Sequence, residues 1–278
     1  MKMVPFLFRG ASVWSPQIAE HEMSVTYGRQ DGAAILIVGD EILSGRTQDT
    51  NTAYIARWLG QLGLSVREVR VVPDIEAEIV AAVRALSGRY AFVFSTGGIG
   101  PTHDDITADC MAAAFETGIS YHPTVFAALA ARYASMNIGP FNEARQRMAR
   151  IPFGASLIGN PVSGAPGFQI GNVFVMAGIP SVMQAMLEEV RPRLPVSTPL
   201  KSVTVSAFIG EGSIAKGLAD LQKKNPDVPL GSYPFSRDGK FGTALVARGT
   251  DATRLEEIKA AFGAIMREAG QEPLPEAS

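Results

Sequence analysis

Thirteen residues, Ser95–Thr107, read S-T-G-G-I-G-P-T-H-D-D-I-T and combine two chemistries that oppose each other. Gly97, Gly98 and Gly100 follow an apolar run, Tyr90–Phe94, and lead into a helical pattern. Glycine amides at the start of a helix offer hydrogen-bond donors and a positive partial charge to a phosphate. Thr102 adds a hydroxyl. Asp104 and Asp105 would repel a bare phosphate, but they suit a hydrated divalent cation that bridges protein and phosphate oxygens. Such an ion can polarise a phosphoryl group and activate water. Three further segments carry residues of the same kinds. The first holds Asp40, Glu41, Ser44, Gly45, Asp49 and Asn51, and the second holds Asp74. The third combines Asn160, Gly164, Pro166 and Gly167 with Gly178 and Pro180. Taken singly, Asp104 or Asp105 is equally a helix cap, and Asp74 after Pro73 an ordinary helix start. The loop is neither a Walker loop, since no G-K-[ST] follows, nor the G-x-G-x-x-G nucleotide fingerprint.

Strand and helix patterns bring these segments together. Ala33–Val38 is a continuous apolar run, as in a strand buried on both faces. Tyr54, Ile55, Trp58, Leu59 and Leu62 recur at helical spacing, with Trp58 a packing residue, and Gly63 closes the helix. Val66–Val72 alternates as a strand, a helix follows from Pro73-Asp74 through Leu86, and Phe92–Phe94 is the next strand. The helix after the glycine loop runs to about Thr117. The spacing predicts two helices over 123–150, joined by a turn at Asn137–Pro140. It then predicts a turn-rich loop at 160–168, a strand at Val173–Met176 and a helix to Val190 that opens with Pro180. This alternation predicts an α/β sheet with right-handed crossovers, whose functional loops gather at the carboxyl ends of the strands. The loops after Val38, Val72 and Phe94 all fall there. Three prolines within 191–200 mark a boundary. Beyond it come a strand (201–208), helix (211–224), strand (229–235), turn at Arg237-Asp238-Gly239, strand (240–248) and helix (251–269). The expected division is 1–30 as a disordered extension or start-site artefact, with Met23 an alternative start to Met1, then an α/β domain at 31–195 and a small α+β domain at 200–270.

Composition narrows the partners. The 278 residues include 25 Lys+Arg against 27 Asp+Glu, a formal net charge of −2, which leaves no basic excess to drive nucleic-acid or anionic-membrane binding. No apolar run reaches the length of a membrane span. The single cysteine, Cys110, excludes an internal disulfide, fits a cytoplasmic location and reads as a small core residue. His21, His103 and His122 are too scattered for a histidine-rich metal site. Arg145, Arg147 and Arg150 read first as a solvated helix face, with a reach to a phosphate from a neighbouring helix as the alternative. Met176, Met183 and Met186 read as core, and Arg237 and Lys240 as flanks of a hairpin turn.

Five motifs in order carry a family resemblance: G-D-E-I-L-S-G-R-T-Q-D-T-N-T, V-V-P-D, the glycine–aspartate loop, N-P-V-S-G-A-P-G-F and A-G-I-P-S. Together they resemble the molybdopterin-binding (MoaB/Mog-like) domain in its CinA (competence/damage-inducible) form, a domain that also forms the N-terminal part of eukaryotic FAD synthases. The resemblance covers about 33–193, and 200–270 resembles the small domain that follows in CinA-type chains. It implies a three-layer α/β/α domain with a mostly parallel sheet, followed by a small α+β domain. It places Asp40, Asp49, Asp74 and Asp105 where relatives carry functional acids. The implied roles are catalysis by Asp74, Asp104 and Asp105, and metal binding by Asp40, Glu41, Asp49 and Asp105. Phosphate or ligand contacts are implied for Ser44, Gly45, Asn51, Thr96, Gly97, Gly98, Gly100, Thr102, Asn160, Gly164, Ala165, Pro166, Gly167, Gly178 and Pro180. The implied activity is hydrolysis of an ADP-ribose- or FAD-like diphosphate with Mg²⁺, Mn²⁺ or Co²⁺, releasing AMP. Binding of molybdopterin without turnover is the alternative, and adenylyl transfer to a pterin ranks third. A homodimer or homotrimer is implied as well. The sequence departs from the family at two places: it lacks the C-terminal amidohydrolase domain of longer CinA chains, and Val182 stands where the last motif usually carries an acid.

Overall fold

The computed structural model describes residues 30–137, 139–195 and 197–275; the expectation for residues 1–29 lies outside them. The chain forms two compact units: one takes the residues through Leu59 and Ser65–Pro195, the other Gly60–Leu64 and the residues from Val196 on.

The first unit is built on a six-stranded sheet. Its elements are β1 (Gln30–Val38), α1 (Asp40–Leu43), α2 (Asn51–Gln61), β2 (Val66–Val72), α3 (Glu76–Arg89), β3 (Tyr90–Thr96) and α4 (Thr107–Ala114). They continue with β4 (Ile119–Tyr121), α5 (Pro123–Met136), α6 (Glu143–Gln146), β5 (Arg150–Pro152), β6 (Ser156–Ile158), β7 (Gly167–Ile170), β8 (Val173–Met176) and α7 (Pro180–Val190). The strand order is β2-β1-β3-β8-β7-β6. The first four strands run parallel, and β7 and β6 are antiparallel additions. Central strand β1 is buried on both faces from Ala33 to Val38, which explains its unbroken apolar run. Ala34, Leu36, Val38, Val93 and Val175 pack with Ile79, Val83 and Leu86 of α3 and Cys110 and Met111 of α4. The alternate residues face the opposite way, where Phe94 and Phe174 stack at 5.2 Å and α2 meets α7 through a 2.8 Å bond from Trp58 Nε1 to Glu188 Oε1. The result is an α/β/α sandwich with a mostly parallel sheet.

Three stretches differ from the sequence expectation. The loop expected at 160–168 ends earlier: it connects β6 to β7, and its Gly167 and Phe168 open β7, so a short meander reverses the chain before β8. The second helix expected within 123–150 lasts one turn. Residues Arg147–Ala149 form a 3₁₀ turn, and β5 then pairs with β4 in a separate two-stranded sheet. Residues 40–43, expected as loop, form the one-turn helix α1.

The second unit is an antiparallel sheet in the order β10-β11-β9, from β9 (Lys201–Ala207), β10 (Leu230–Arg237) and β11 (Lys240–Gly249). Helices α8 (Glu211–Lys224) and α9 (Ala252–Glu268) cover one face, with Ile214, Leu245, Leu255 and Phe262 in the core. The Asp238-Gly239 turn has both φ values positive, at 52° and 73°, the conformation a two-residue hairpin loop demands. Among the described residues, no helix is long and apolar enough to cross a membrane.

Candidate functional site

The carboxyl ends of β1, β2, β3 and β8 are tied into one rim. The Gly39 amide donates to the Val72 carbonyl at 3.1 Å, and the Gly97 amide to Met176 at 3.2 Å. Asn51, at the first position of α2, donates through Nδ2 to the Gly178 carbonyl at 2.8 Å. The loops after β3 and β8 run nearly in contact: a Cβ on Gly178 would lie 3.3 Å from the Gly97 Cα. Gly97 itself has φ +104°, and a Cβ there would stand 2.0 Å from the Val38 carbonyl oxygen. Only glycine lets this loop lie against the end of β1.

The glycine loop is then locked onto α4. Thr107 Oγ1 donates to the Gly97 carbonyl and the Thr107 amide to the Gly98 carbonyl, each at 3.0 Å. The Asp105 carboxylate folds back over Gly100 and accepts from both the amide (2.8 Å) and the hydroxyl of Thr102. Neither aspartate caps the helix: the residue before α4 is Ile106, which makes no side-chain capping bond. Asp74 is not a cap either, because α3 begins at Glu76 behind Ile75.

One side of the loop is acidic. Asp74 Oδ2 accepts the Asp40 amide at 3.0 Å, and its Oδ1 lies 3.6 Å from where a Cβ on Gly98 would be. Burial pushes the Asp74 carboxyl above its ordinary pKa, and the charges of Asp40, Glu41 and Asp104 push the same way, against the bond from the Asp40 amide. Asp104 is exposed and held below the usual carboxylate range, first by the neighbouring Thr102 hydroxyl and then by its own amide and by His103. Glu41 curls over Gly39, the Ser44 hydroxyl donates to the Glu41 carbonyl at 3.3 Å, and Gly45 faces open space. Asp49 caps α2, accepting the Thr52 amide at 3.1 Å. The sheet therefore brings Asp40, Glu41, Asp74 and Asp104 to one place and leaves Asp49 and Asp105 engaged in local bonds. Among the described residues, no three His, Cys, Asp or Glu side chains stand close enough together to hold a metal ion unaided. An ion held here would take one or two carboxylates and would need its other ligands from water or a bound phosphate.

The opposite side carries guanidinium groups, which for Arg147 and Arg150 overturns the first reading, a solvated face, in favour of the alternative, a reach toward the loop. Arg147 and Arg150 line a small cleft with Gly98, Gly100, Asp105, Asp109, Pro166 and Phe168. Arg147 Nη2 donates to the Asp105 carbonyl at 3.3 Å, and its Nε is buried with no hydrogen-bond partner. Arg150 pairs with Asp109 at 2.5 Å. Only Arg145 behaves as a surface residue, lying over the Tyr133 ring and donating to the Pro140 carbonyl at 2.7 Å. The β4–β5 pairing turns the 147–150 stretch toward α4. The apolar Met148, Ala149 and Ile151 among these arginines were the sequence signal that the face is not simply solvated.

Of the other ligand candidates, Pro166 enters the cleft. Asn160 instead staples its own loop, donating to Ser163 Oγ (2.6 Å) and the Ala165 carbonyl (2.7 Å) while its Oδ1 accepts the Val162 and Ser163 amides. Gly164 lies against Arg132, and Gly167 is a packing glycine whose Cβ would stand 2.2 Å from the Val175 carbonyl oxygen. Thr96 is 1% exposed, and its hydroxyl oxygen has no partner; neither has Asn51 Oδ1. Pro180 opens α7, and Val182 is buried in the first turn behind it.

The mostly parallel sandwich, with a glycine loop and acids at its strand ends, defines a class, and comparison with known proteins agrees. The chain belongs to the family described as "Probable molybdopterin binding domain", which matches residues 34–196, and the family described as "FAD synthase, middle domain" matches 199–272. A protein of Archaeoglobus fulgidus is 35% identical over 72% of this chain and 84% of its own length. One from Aeropyrum pernix is 36% identical over 82% and 88%. Among solved structures, the protein CinA of unknown function from Thermoplasma acidophilum is 33% identical, with a TM-score of 0.54 over 59% of this chain and 97% of that one.

Proposed function

We propose that the first unit binds a phosphate-bearing nucleotide or pterin across the glycine loop, and that it cleaves the diphosphate bond of an ADP-containing metabolite with a divalent metal. The observation that carries this reading is the position of Asp74, lifted above its ordinary pKa beside Gly98 and surrounded by Asp40, Glu41 and Asp104. A carboxylate raised by burial and by neighbouring acids, as Asp74 is, gains from a cation, and a cation is what lets a phosphate sit beside it. Asp74 and Asp104 would hold that cation or orient water. Arg147 and the loop amides would hold the phosphate from the other side. A bound metal would supply charge neutralisation at the phosphoryl oxygens and an activated water.

The test is incubation with ADP-ribose, FAD, NAD, coenzyme A and ATP, each with Mg²⁺, Mn²⁺, Co²⁺ or EDTA, with AMP followed by chromatography. Metal-dependent AMP from one substrate, lost in Asp74→Asn, is the expected result. A second reading, binding without turnover, draws on Val182, whose buried side chain supplies no carboxylate at the start of α7. Saturable binding of a pterin or nucleotide with no AMP from any substrate would select it.

A further inference from the structure

In the second unit, helices α8 and α9 pack on one face of the sheet through Val205, Ala207, Leu245 and Ala247. Strand alternation puts the residues between these on the other face. There the register sets Tyr233 of β10 beside Ala244, Phe235 beside Gly242 and Arg237 beside Lys240. Phe208, just past β9, brings its ring centre to 5.9 Å from that of Phe235. Two glycines let rings lie down on the sheet. The tip of the Phe235 ring stands where a Cβ on Gly242 would go, and the Tyr233 ring lies 3.0 Å from a Cβ placed on Gly231. Tyr233 is 51% exposed. Each phenylalanine is attended by a cation: the Arg237 guanidinium lies 5.8 Å from the Phe235 ring centre, and the Lys240 ammonium 5.7 Å from that of Phe208. Arg248 is exposed toward the far end of β11, about 27 Å along the strand from Lys240. Among the described strand residues of this face there is no aspartate or glutamate.

Rings laid flat among cations match the two chemical features of a nucleic-acid strand. The π faces of bases stack on aromatic rings, and phosphates pair with guanidinium and ammonium groups. We infer that this face of the second unit binds a single-stranded nucleic acid. A small nucleotide fits the face less well. Small-molecule sites are concave and enclose most of their ligand, whereas a sheet face is flat, and a ligand that reaches both Lys240 and Arg248 must be extended. A duplex fits less well still, because its bases are stacked on one another and offer only their edges. The net charge of −2 argues against nucleic-acid binding over the surface at large, but the local balance here is three cations to no acid. Aromatic rings across glycines also steady a sheet, yet that role calls for no cation beside each ring. None of these residues enters the site proposed for the first unit, so the inference stands apart from that reading.

The test is fluorescence anisotropy of a labelled mixed-sequence oligonucleotide with the full chain, from about 50 to about 200 mM salt. Saturable binding of the single strand is expected, weaker for the duplex of the same sequence. Contacts from Arg237, Lys240 and Arg248 to three phosphates give a slope of log affinity against log salt of about −2. Arg237→Gln with Lys240→Gln should reduce the slope to about −0.7. Phe235→Ala should weaken binding about 10-fold and leave the slope unchanged, because a stacked ring releases no counterion. If Phe235→Ala does not fold by far-ultraviolet circular dichroism, Tyr233→Ala, at a half-exposed ring, takes its place with the same expectation. No saturable binding at the lowest salt would overturn the inference, as would a duplex bound as tightly as the strand, or affinity and slope unchanged in these variants. Binding to phosphatidylserine vesicles in place of the strand would assign the face to a membrane surface and overturn it equally.

Discussion

Gly97→Ala tests whether the glycine loop is fixed by its fit against β1. The added methyl would stand 2.0 Å from the Val38 carbonyl oxygen, a backbone atom in the most buried strand of the sheet, and the residue would keep φ +104°. The contact is more than 1 Å too short, and neither side yields without moving a strand end. A strained φ costs about 1–3 kcal/mol, and forcing extra volume into packed structure adds about 1–3 kcal/mol. The expected loss is about 4 kcal/mol from the first unit, a fall in melting temperature of roughly 8–16 °C for a domain of this size. Gly45→Ala is the control. Its φ is +72°, but nothing lies within 4 Å of the added carbon, so it should cost only about 1 kcal/mol. The assay is thermal melting of the two variants side by side, followed by the AMP assay on whatever remains folded. A loop displaced by about 1 Å should lower turnover about 100-fold in Gly97→Ala. If the two variants melt within about 2 °C of each other, the close approach to Val38 does not set the loop and the reasoning fails.

Asp74→Asn should raise the melting temperature at pH 7 by about 1–3 °C while abolishing metal-dependent turnover. The folded-state pKa of Asp74 is raised, so its contribution to stability is full below the unfolded value of about 3.9 and is lost as pH rises through the folded value. The advantage of the amide should therefore shrink as pH falls toward 4, and melts across pH 3.5–8 check it. Arg147→Met keeps the apolar stem and removes the donors, so ligand affinity should fall about 10-fold with little change in melting; unchanged affinity in titration calorimetry would remove Arg147 from the site. Burial pushes the Cys110 thiol up to about 12, so a thiol reagent at pH 8 should label nothing in the native protein and one group after unfolding.

Much of this was readable from the chain. Strands β1, β3 and β8 are buried on both faces, and that condition writes itself as an unbroken apolar run. The glycine loop was legible because Gly97 and Gly98 answer steric demands few other residues meet. The acids after β1 and β2 share one rim of the sheet because chain order fixes the ends of parallel strands on one side. Which of the two readings holds for the arginines was not legible in the same way. Arg147 reaches the loop only because β5 pairs with β4, some thirty residues earlier, and three-residue strands carry no periodic signal. The resemblance implied ligand roles for Asp105 and Asp49, and only geometry reveals that each has an oxygen committed to a neighbouring amide. The β6–β7 meander was hidden by the glycines and prolines of its turn, which read more strongly than the short strands beside it.

The two-sided character of the site bears on how metal and ligand bind. The loop amides with Arg147 would accept a phosphate without a metal, whereas Asp40, Glu41, Asp74 and Asp104 would resist it. The described residues offer no ready cage of three carboxylates, so an ion alone would find too few ligands. Under the proposed reading each component supplies what the other lacks: the phosphate completes the coordination of the ion, and the ion cancels the repulsion on the acidic side. Linkage then requires that each raise the affinity for the other by the same factor. A glycine loop with acids on one flank and arginine on the other is a poor site for a bare phosphate or a bare cation, and a good one for the two bound together.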